Sequence, residues 1–413
     1  YYSIYVFDIV KENNDYKIKD LIKVSDGVLI GNYLLRDIPV GKVQSYKWVS
    51  PNIIAFIETN KAETFINLVN IENKEIFSLK NYFSGDVLDY CFEQNKLYFV
   101  GIDLFRNLNY LPEIFEIYVN LTNINSNDTN LNNSLKKITN FNEEIENKIK
   151  SLNLVTEKVM DFDNDGADVW VLSKTFNKED IYKGNFADIF YIHGGPHAAY
   201  GNTTMLEFII LASEGYRVFY SNPKGSVSYG LDFANCIIGK WMNEDLNHIK
   251  SIVNYIRNKM GVNNLFVAGG SYGGYMSAAL ISKFNIFKGA ICERGVYNLL
   301  SFISTTDFPL FWLPYFKVDN IIQLFDISPI KYYQQIDTNV LIIHSEGDLR
   351  CPVSQAEEFF SLLKLNNKNN RIIKFLRFPI DTNHDMSRSA NIYYKAVRIA
   401  SILEFLKEVI NSE

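Results

Sequence analysis

Histidine and cysteine are scarce in this chain, with five and four among 413 residues, and their scarcity narrows the chemistry available. Cys91, Cys236, Cys292 and Cys351 are far apart and lack the paired spacing of metal sites or small disulfide scaffolds. They read as reduced thiols of a cytoplasmic protein. His193 and His197 are spaced like zinc ligands on a helix, but Gly194, Gly195 and Pro196 between them break any helix. Neither a metal nor a cofactor is expected. An excess of basic charge is also missing, with 41 Lys and Arg against 47 Asp and Glu and a net charge of −6, so nucleic acid and anionic membrane surfaces are not expected partners. Apolar runs of the roughly 18 residues that suggest a membrane span are absent; the most apolar stretch, Leu206 to Tyr220, carries Glu207, Glu214 and Arg217. The chain opens at Tyr1 without a methionine, which leaves its true start and any signal peptide before it open.

What is present divides into two textures. A single core stops growing at roughly 250 to 300 residues, so two domains are expected: a β-propeller region over residues 1–152 and a catalytic domain over 153–413. The first reads as short strands between Asn, Gly and Asp turns, without helical periodicity. Trp48 to Asn52 followed by Ile53 to Ile57 is echoed by Cys91 to Asn95 followed by Lys96 to Val100. Phe65 to Asn70 is echoed by Phe115 to Asn120, and Ile4 to Asp8 suggests an earlier copy. These are about three partial repeats at the roughly 40 to 50 residues expected of propeller blades, fewer than the four to eight that close a propeller. An open β-sandwich is the competing expectation. Beyond residue 155, apolar runs at Ala187–Ile192, Tyr216–Tyr220, Leu265–Ala268, Gly289–Cys292, Val340–His344 and Ile372–Phe378 alternate with amphipathic helices. This predicts an α/β fold with a mostly parallel sheet and helices on both faces.

The chemistry concentrates after one of those runs. Leu265 to Ala268 leads into Gly269-Gly270-Ser271-Tyr272-Gly273 and then a helical pattern, the strand–turn–helix context of a nucleophile elbow. Ser271 must sit on a strained turn, and side chains at 269 and 273 would collide with neighbouring backbone. The elbow's helix would point its N-terminus at developing negative charge. In this architecture the acid and the histidine follow the serine in that order, and only His344 and His384 do so. His344 ends an apolar strand, which leaves His384, in a loop after the last strand, as the base. The acid is expected in Ser345 to Pro352, with Asp348 the choice and Glu346 the alternative. One oxyanion donor would be the Tyr272 N–H; His193-Gly194-Gly195-Pro196 has the pattern that supplies the other, assigned to the Gly195 N–H. Asp161 to Gly166 opens like a calcium loop, but Leu172 stands where a bidentate Glu is needed, so a β-turn at Asp165-Gly166 is expected.

Five motifs in order, His193-Gly194-Gly195-Pro196, Asn222 to Ser226 with Tyr229-Gly230, Gly270 to Tyr275, His344 to Pro352 with Gln355 to Glu357, and His384 with Ser387-Arg388, resemble the prolyl oligopeptidase family of serine peptidases. The resemblance is closest to its acylaminoacyl-peptidase-like branch. Leu135 to Asn142 looks like that family's last blade leading into the hydrolase domain. The resemblance implies a propeller that caps the active site and limits substrates to short peptides, N-acylated ones among them, with hydrolysis through an acyl-enzyme on Ser271. Carried over by position, Arg350 lies near the site, either contacting substrate or holding the Asp348 loop by a salt bridge. Phe308, Phe311 and Trp312 line an apolar specificity pocket or belong to interdomain core. A carboxylesterase using the same three residues, and an inactive binding module, are the other readings. An exposed propeller edge would be a surface for homo-oligomer formation.

Overall fold

Short strands whose successive side chains point to opposite faces build the first part of the chain as stacked antiparallel sheets. The structure, a computed structural model, describes residues 1–12, 15–37, 46–121, 135–174 and 187–412. Among the described residues, β1 (Tyr2–Glu12) pairs with β2 (Asp15–Val28) alone. β3 (Tyr46–Ser50), β4 (Ile53–Asn60), β5 (Glu63–Asn70) and β6 (Ile76–Ser78) form one four-stranded sheet. β7 (Asp86–Glu93), β8 (Lys96–Asp103), β9 (Asn109–Tyr118) and β10 (Lys136–Lys137) form another. Ile53, Ala55 and Ile57 of β4 face Leu97, Phe99 and Phe115 of the next sheet, whereas Ile54 and Phe56 face Val6 and Val24 of the hairpin. The side-chain period of two thus makes β4 the middle of a stack, in a propeller-like arrangement.

Two expectations need correction here. The earliest repeat is a two-stranded hairpin: Ile4 to Asp8 lies on β1, which has no partner strand but β2 among the described residues. The stretch before residue 152 is not all-β, because Glu143–Ser151 is an α-helix. Glu143, Glu144 and Glu146 in its first turn and Lys148 and Lys150 in its last complement the helix dipole. Buried Glu146 accepts the N–H groups of Tyr110 and Leu111, both at 2.7 Å. Two turns are too short to show a 3.6-residue period against so much charge.

The rest of the chain is organised by an eight-stranded sheet in the order β11-β12-β14-β13-β15-β16-β17-β18. These strands are β11 (Val155–Met160), β12 (Val169–Ser173), β13 (Ala187–Ile192), β14 (Arg217–Ser221), β15 (Asn264–Gly270), β16 (Gly289–Glu293), β17 (Asn339–Ser345) and β18 (Ile373–Phe378). β11 and β12 are antiparallel additions and the remaining pairs are parallel. Phe190, Phe219, Val267, Ala290 and Ile342 face the helices Glu244–Met260, Tyr272–Lys283 and Ser354–Leu365. Tyr191, Tyr220, Phe266, Ile291 and Leu341 face Leu206–Ser213 and Ile392–Asn411. Burial on both faces explains the near-continuous apolar runs. Asp161 to Gly166 is a helical turn, Phe162–Asp165, closed by left-handed Gly166, not a β-turn; Asp161 caps it by accepting the Asp163 N–H at 3.0 Å. Among the described residues, no helix is long and apolar enough to cross a membrane.

The two parts meet along the segment after β13. Leu34 bridges Ala199, and the Asn202 N–H donates to the Ala62 carbonyl at 2.8 Å. The Asn202 side chain donates to Asp103 (3.0 Å) and accepts from the Phe105 N–H (2.8 Å). These bonds satisfy buried polar groups and bring residues 35–37 to the C-terminal end of the parallel strands, where the crevice of such sheets lies.

Candidate active site

Ser271 follows β15 with φ 61° and ψ −121°, a strained conformation that ends the strand and starts the helix Tyr272–Lys283. The turn is possible because its neighbours leave no room for side chains. A Cβ on Gly273 would lie 2.1 Å from the Ile192 carbonyl oxygen, so only glycine lets the helix start against β13.

The structure brings Ser271, His384 and Asp348 into one hydrogen-bonded chain. His384 Nε2 stands 3.0 Å from Ser271 Oγ, and Nδ1 stands 2.7 Å from Asp348 Oδ2. The other Asp348 oxygen accepts the Cys351 N–H at 2.8 Å. His344 Nε2 donates to the Cys351 carbonyl at 2.6 Å and lies 3.4 Å from Asp348. Burial works against the Asp348 carboxylate, but hydrogen bonds from His344 and His384 outweigh it and hold its pKa well below the ordinary range. Burial lowers the His384 pKa, with Asp348 opposing, so the imidazole rests neutral. Glu346, the alternative acid, instead pairs with Arg377 at 2.7 Å.

Gly194 packs directly on the nucleophile, since a Cβ there would lie 3.4 Å from Ser271 Cβ. Gly195 takes φ 129°, a conformation that strains any other residue. The N–H groups of Gly195 and Tyr272 donate to no protein acceptor among the described residues. His193 and His197 are loop residues with separate partners: His193 Nε2 bonds Ser226 Oγ at 2.8 Å and His197 Nε2 bonds the Tyr315 hydroxyl at 2.9 Å. Burial lowers the His193 pKa to about 4.

A cavity of about 610 Å³ opens over Ser271. Val296, Phe302 and Trp312 give it an apolar wall, while Leu35, Arg36 and Asp37 reach it from the propeller-like region. Of the aromatic residues expected to line a pocket, Trp312 does so. Phe308 and Phe311 lie outside the lining, part exposed and stacked at 5.3 Å. Arg350 lines the cavity and bonds Asp307 at 2.6 Å.

A model described as the prolyl oligopeptidase family matches residues 202–413. The chain belongs to the prolyl oligopeptidase family. Among its relatives, the uncharacterized peptidase YuxL of Bacillus subtilis (strain 168) is 37% identical over 210 residues, which are 49% of this chain and 31% of that protein. The acylamino-acid-releasing enzyme of Mus musculus is 28% identical over 196 residues, 44% of this chain and 27% of that one. The chain therefore spans under a third of the length of these curated relatives. The Pyrococcus horikoshii acylaminoacyl peptidase structure superposes with a TM-score of 0.71 over 87% of this chain and 54% of that chain, at 20% identity, a likeness of fold.

This prolyl oligopeptidase family member also has a buried charge cluster that sequence reasoning missed. Arg398, on the final helix, binds Glu207 at 2.8 Å and Glu293 at 2.5 Å, and the Tyr191 hydroxyl donates to Glu207 at 2.7 Å. Asp37 accepts the N–H groups of Leu206 and Glu207 at 2.8 and 2.7 Å. Burial raises the Asp37 and Glu207 pKa values, whereas at Glu293 burial is outweighed by Arg398 and the pKa falls. A glutamate inside an otherwise apolar run, at position 207, was the available signal, because such a charge needs a buried partner.

Proposed function

We propose that this chain is a serine peptidase that hydrolyses short peptides, N-acylated ones among them, through an acyl-enzyme on Ser271. The observation that carries the reading is the unbroken chain Ser271–His384–Asp348 at 3.0 and 2.7 Å. Names of the relatives supply the substrate class. His384 Nε2 takes the Ser271 proton as Oγ bonds the scissile carbonyl carbon. The resulting oxyanion accepts the N–H groups of Gly195 and Tyr272, each worth about 2.7 to 4 kcal/mol in comparable sites. Collapse breaks the C–N bond, and the leaving amine takes the proton from Nε2. Water then attacks the ester with His384 again as base, releasing a carboxylate and restoring Ser271. Asp348 holds Nδ1–H, fixing the tautomer and stabilising the imidazolium.

In this proposal residues 153–413 carry the chemistry, and the propeller-like region, 1–152, walls one side of the cavity. Arg350, held by Asp307, steers the Asp348 loop, and the Trp312 wall receives an apolar side chain of the substrate. Cysteines without disulfide partners support a cytoplasmic setting.

The experiment is a panel of N-acetylated and free tripeptides set against a p-nitrophenyl ester. The proposal expects peptide cleavage abolished in Ser271→Ala. Ester turnover with every peptide left intact would replace it with a carboxylesterase.

A further inference from the structure

Among the described residues, five arginines line the cavity over Ser271: Arg36, Arg294, Arg350, Arg388 and Arg398. Four of them hydrogen-bond a carboxylate. Arg36 binds both Asp86 oxygens at 2.7 Å, Arg350 binds Asp307, Arg388 binds Asp385, and Arg398 binds Glu207 and Glu293. The Arg294 side chain makes no hydrogen bond among the described residues. Its Nε and Nη1 are buried without an acceptor, and the nearest carboxylate oxygen, on Glu293, stands 3.6 Å from Nη1, beyond hydrogen-bond reach.

The carboxylates around the cavity show the opposite condition. Glu207, Glu293, Asp37, Asp307 and Asp385 all accept from guanidinium or backbone N–H groups. Acceptors are matched and donors are left over. An unsatisfied buried donor is costly, and more so when charged, and burial lowers the Arg294 pKa accordingly. The backbone adds a second cost. Arg294 has φ 38°, an uncommon conformation for a long side chain, locked by its N–H donating to the Ile343 carbonyl at 2.7 Å.

The guanidinium sits beside the residue that precedes the nucleophile. A Cβ on Gly270, the residue before the nucleophile, would lie 2.7 Å from Arg294 Nη2 and 2.8 Å from Cζ. The guanidinium thus packs against Gly270, and Arg294 lines the cavity beside the nucleophile. Arg294 is also close enough to His384 and Cys351 to act on both electrostatically.

We propose that Arg294 anchors a carboxylate of the substrate, so that this cavity selects peptides presenting a free C-terminal carboxylate or an acidic side chain beside the scissile bond. The inference rests on the hydrolase reading of Ser271 for its consequence in turnover, but the anion site itself does not depend on that chemistry. A planar guanidinium suits carboxylate better than any neutral oxygen.

The test is calorimetric binding to Ser271→Ala protein, in which no peptide is consumed. The probes are an N-acetylated tripeptide with a free C-terminus, its C-terminal amide, and amides carrying Glu or Gln. One carboxylate probe should bind about 10- to 100-fold more tightly than its neutral counterpart, the worth of a charge-assisted hydrogen bond. Whether the free terminus or the Glu probe shows the gain tells the two sources apart. The preference should vanish in Arg294→Met and persist in part in Arg294→Lys. Equal affinities within both pairs, or a preference unchanged in Arg294→Met, overturns the proposal. Should Arg294→Met fail to fold, the paired probes on the Ser271→Ala protein decide alone. If parent protein is not labelled by a fluorophosphonate while the binding preference holds, the hydrolase reading falls and the anion site stands.

Discussion

Asparagine in place of Asp348 is nearly isosteric and removes one acceptor from a site that uses two. The carboxylate receives His384 Nδ1 on one oxygen at 2.7 Å and the Cys351 N–H on the other at 2.8 Å. If the new amide keeps its oxygen on Cys351, its NH₂ faces Nδ1, and two donors cannot meet. The imidazole must then protonate Nε2, the atom that should receive the Ser271 proton. A wrong tautomer in this arrangement lowers kcat by about 10⁴, or about 5.4 kcal/mol at 1.36 kcal/mol per decade. If the amide flips, His384 keeps its acceptor and the Cys351 N–H is orphaned, at about 1 to 3 kcal/mol of stability. Turnover of a p-nitrophenyl ester and urea unfolding, measured on the same preparation, separate the two. A variant with kcat within tenfold of the parent and an unchanged unfolding midpoint would refute the orienting role of Asp348.

The remaining predictions concern charge and backbone. His384 must be neutral to act as base, and burial lowers its pKa, so the acid limb of kcat/KM should have its midpoint below the ordinary histidine value of about 6.5; a midpoint above 7 contradicts this. Arg398→Met leaves Glu207 and Glu293 buried without their shared partner and should cost about 3 to 5 kcal/mol in denaturant unfolding; a loss below 1 kcal/mol means that the carboxylates find other partners. Gly273→Ala places a methyl 2.1 Å from the Ile192 oxygen and should lower thermal stability and abolish turnover together, and an active, stable variant would show that the helix can shift.

Much of the fold was legible because each feature is local. The unbroken apolar run Ile53 to Ile57 in β4 fits a strand buried on both faces, and the glycines around Ser271 announce an elbow whatever surrounds it. His384 was reachable because so few histidines follow Ser271. What stayed hidden depends on long-range pairing. Arg398, Glu293 and Arg294 look like ordinary surface charges until the sheet brings them, with Glu207, to one cavity, and residues 35–37 carry no motif at all. The three aromatics at 308, 311 and 312 were indistinguishable by composition; Trp312 alone turns into the cavity because the helix Pro309–Phe316 presents its two faces to different surroundings. The helix Glu143–Ser151 escaped notice because it is short and its burial rests on Glu146 and Ile149.

His384, 3.0 Å from Ser271 Oγ, is proposed to make that serine a nucleophile. The most direct measurement is the intact mass of the protein after brief exposure to a fluorophosphonate, followed by peptide mapping. One adduct per chain is expected, on Ser271, absent in Ser271→Ala and strongly slowed in His384→Ala. An unlabelled parent, or an adduct that persists in Ser271→Ala, would contradict it.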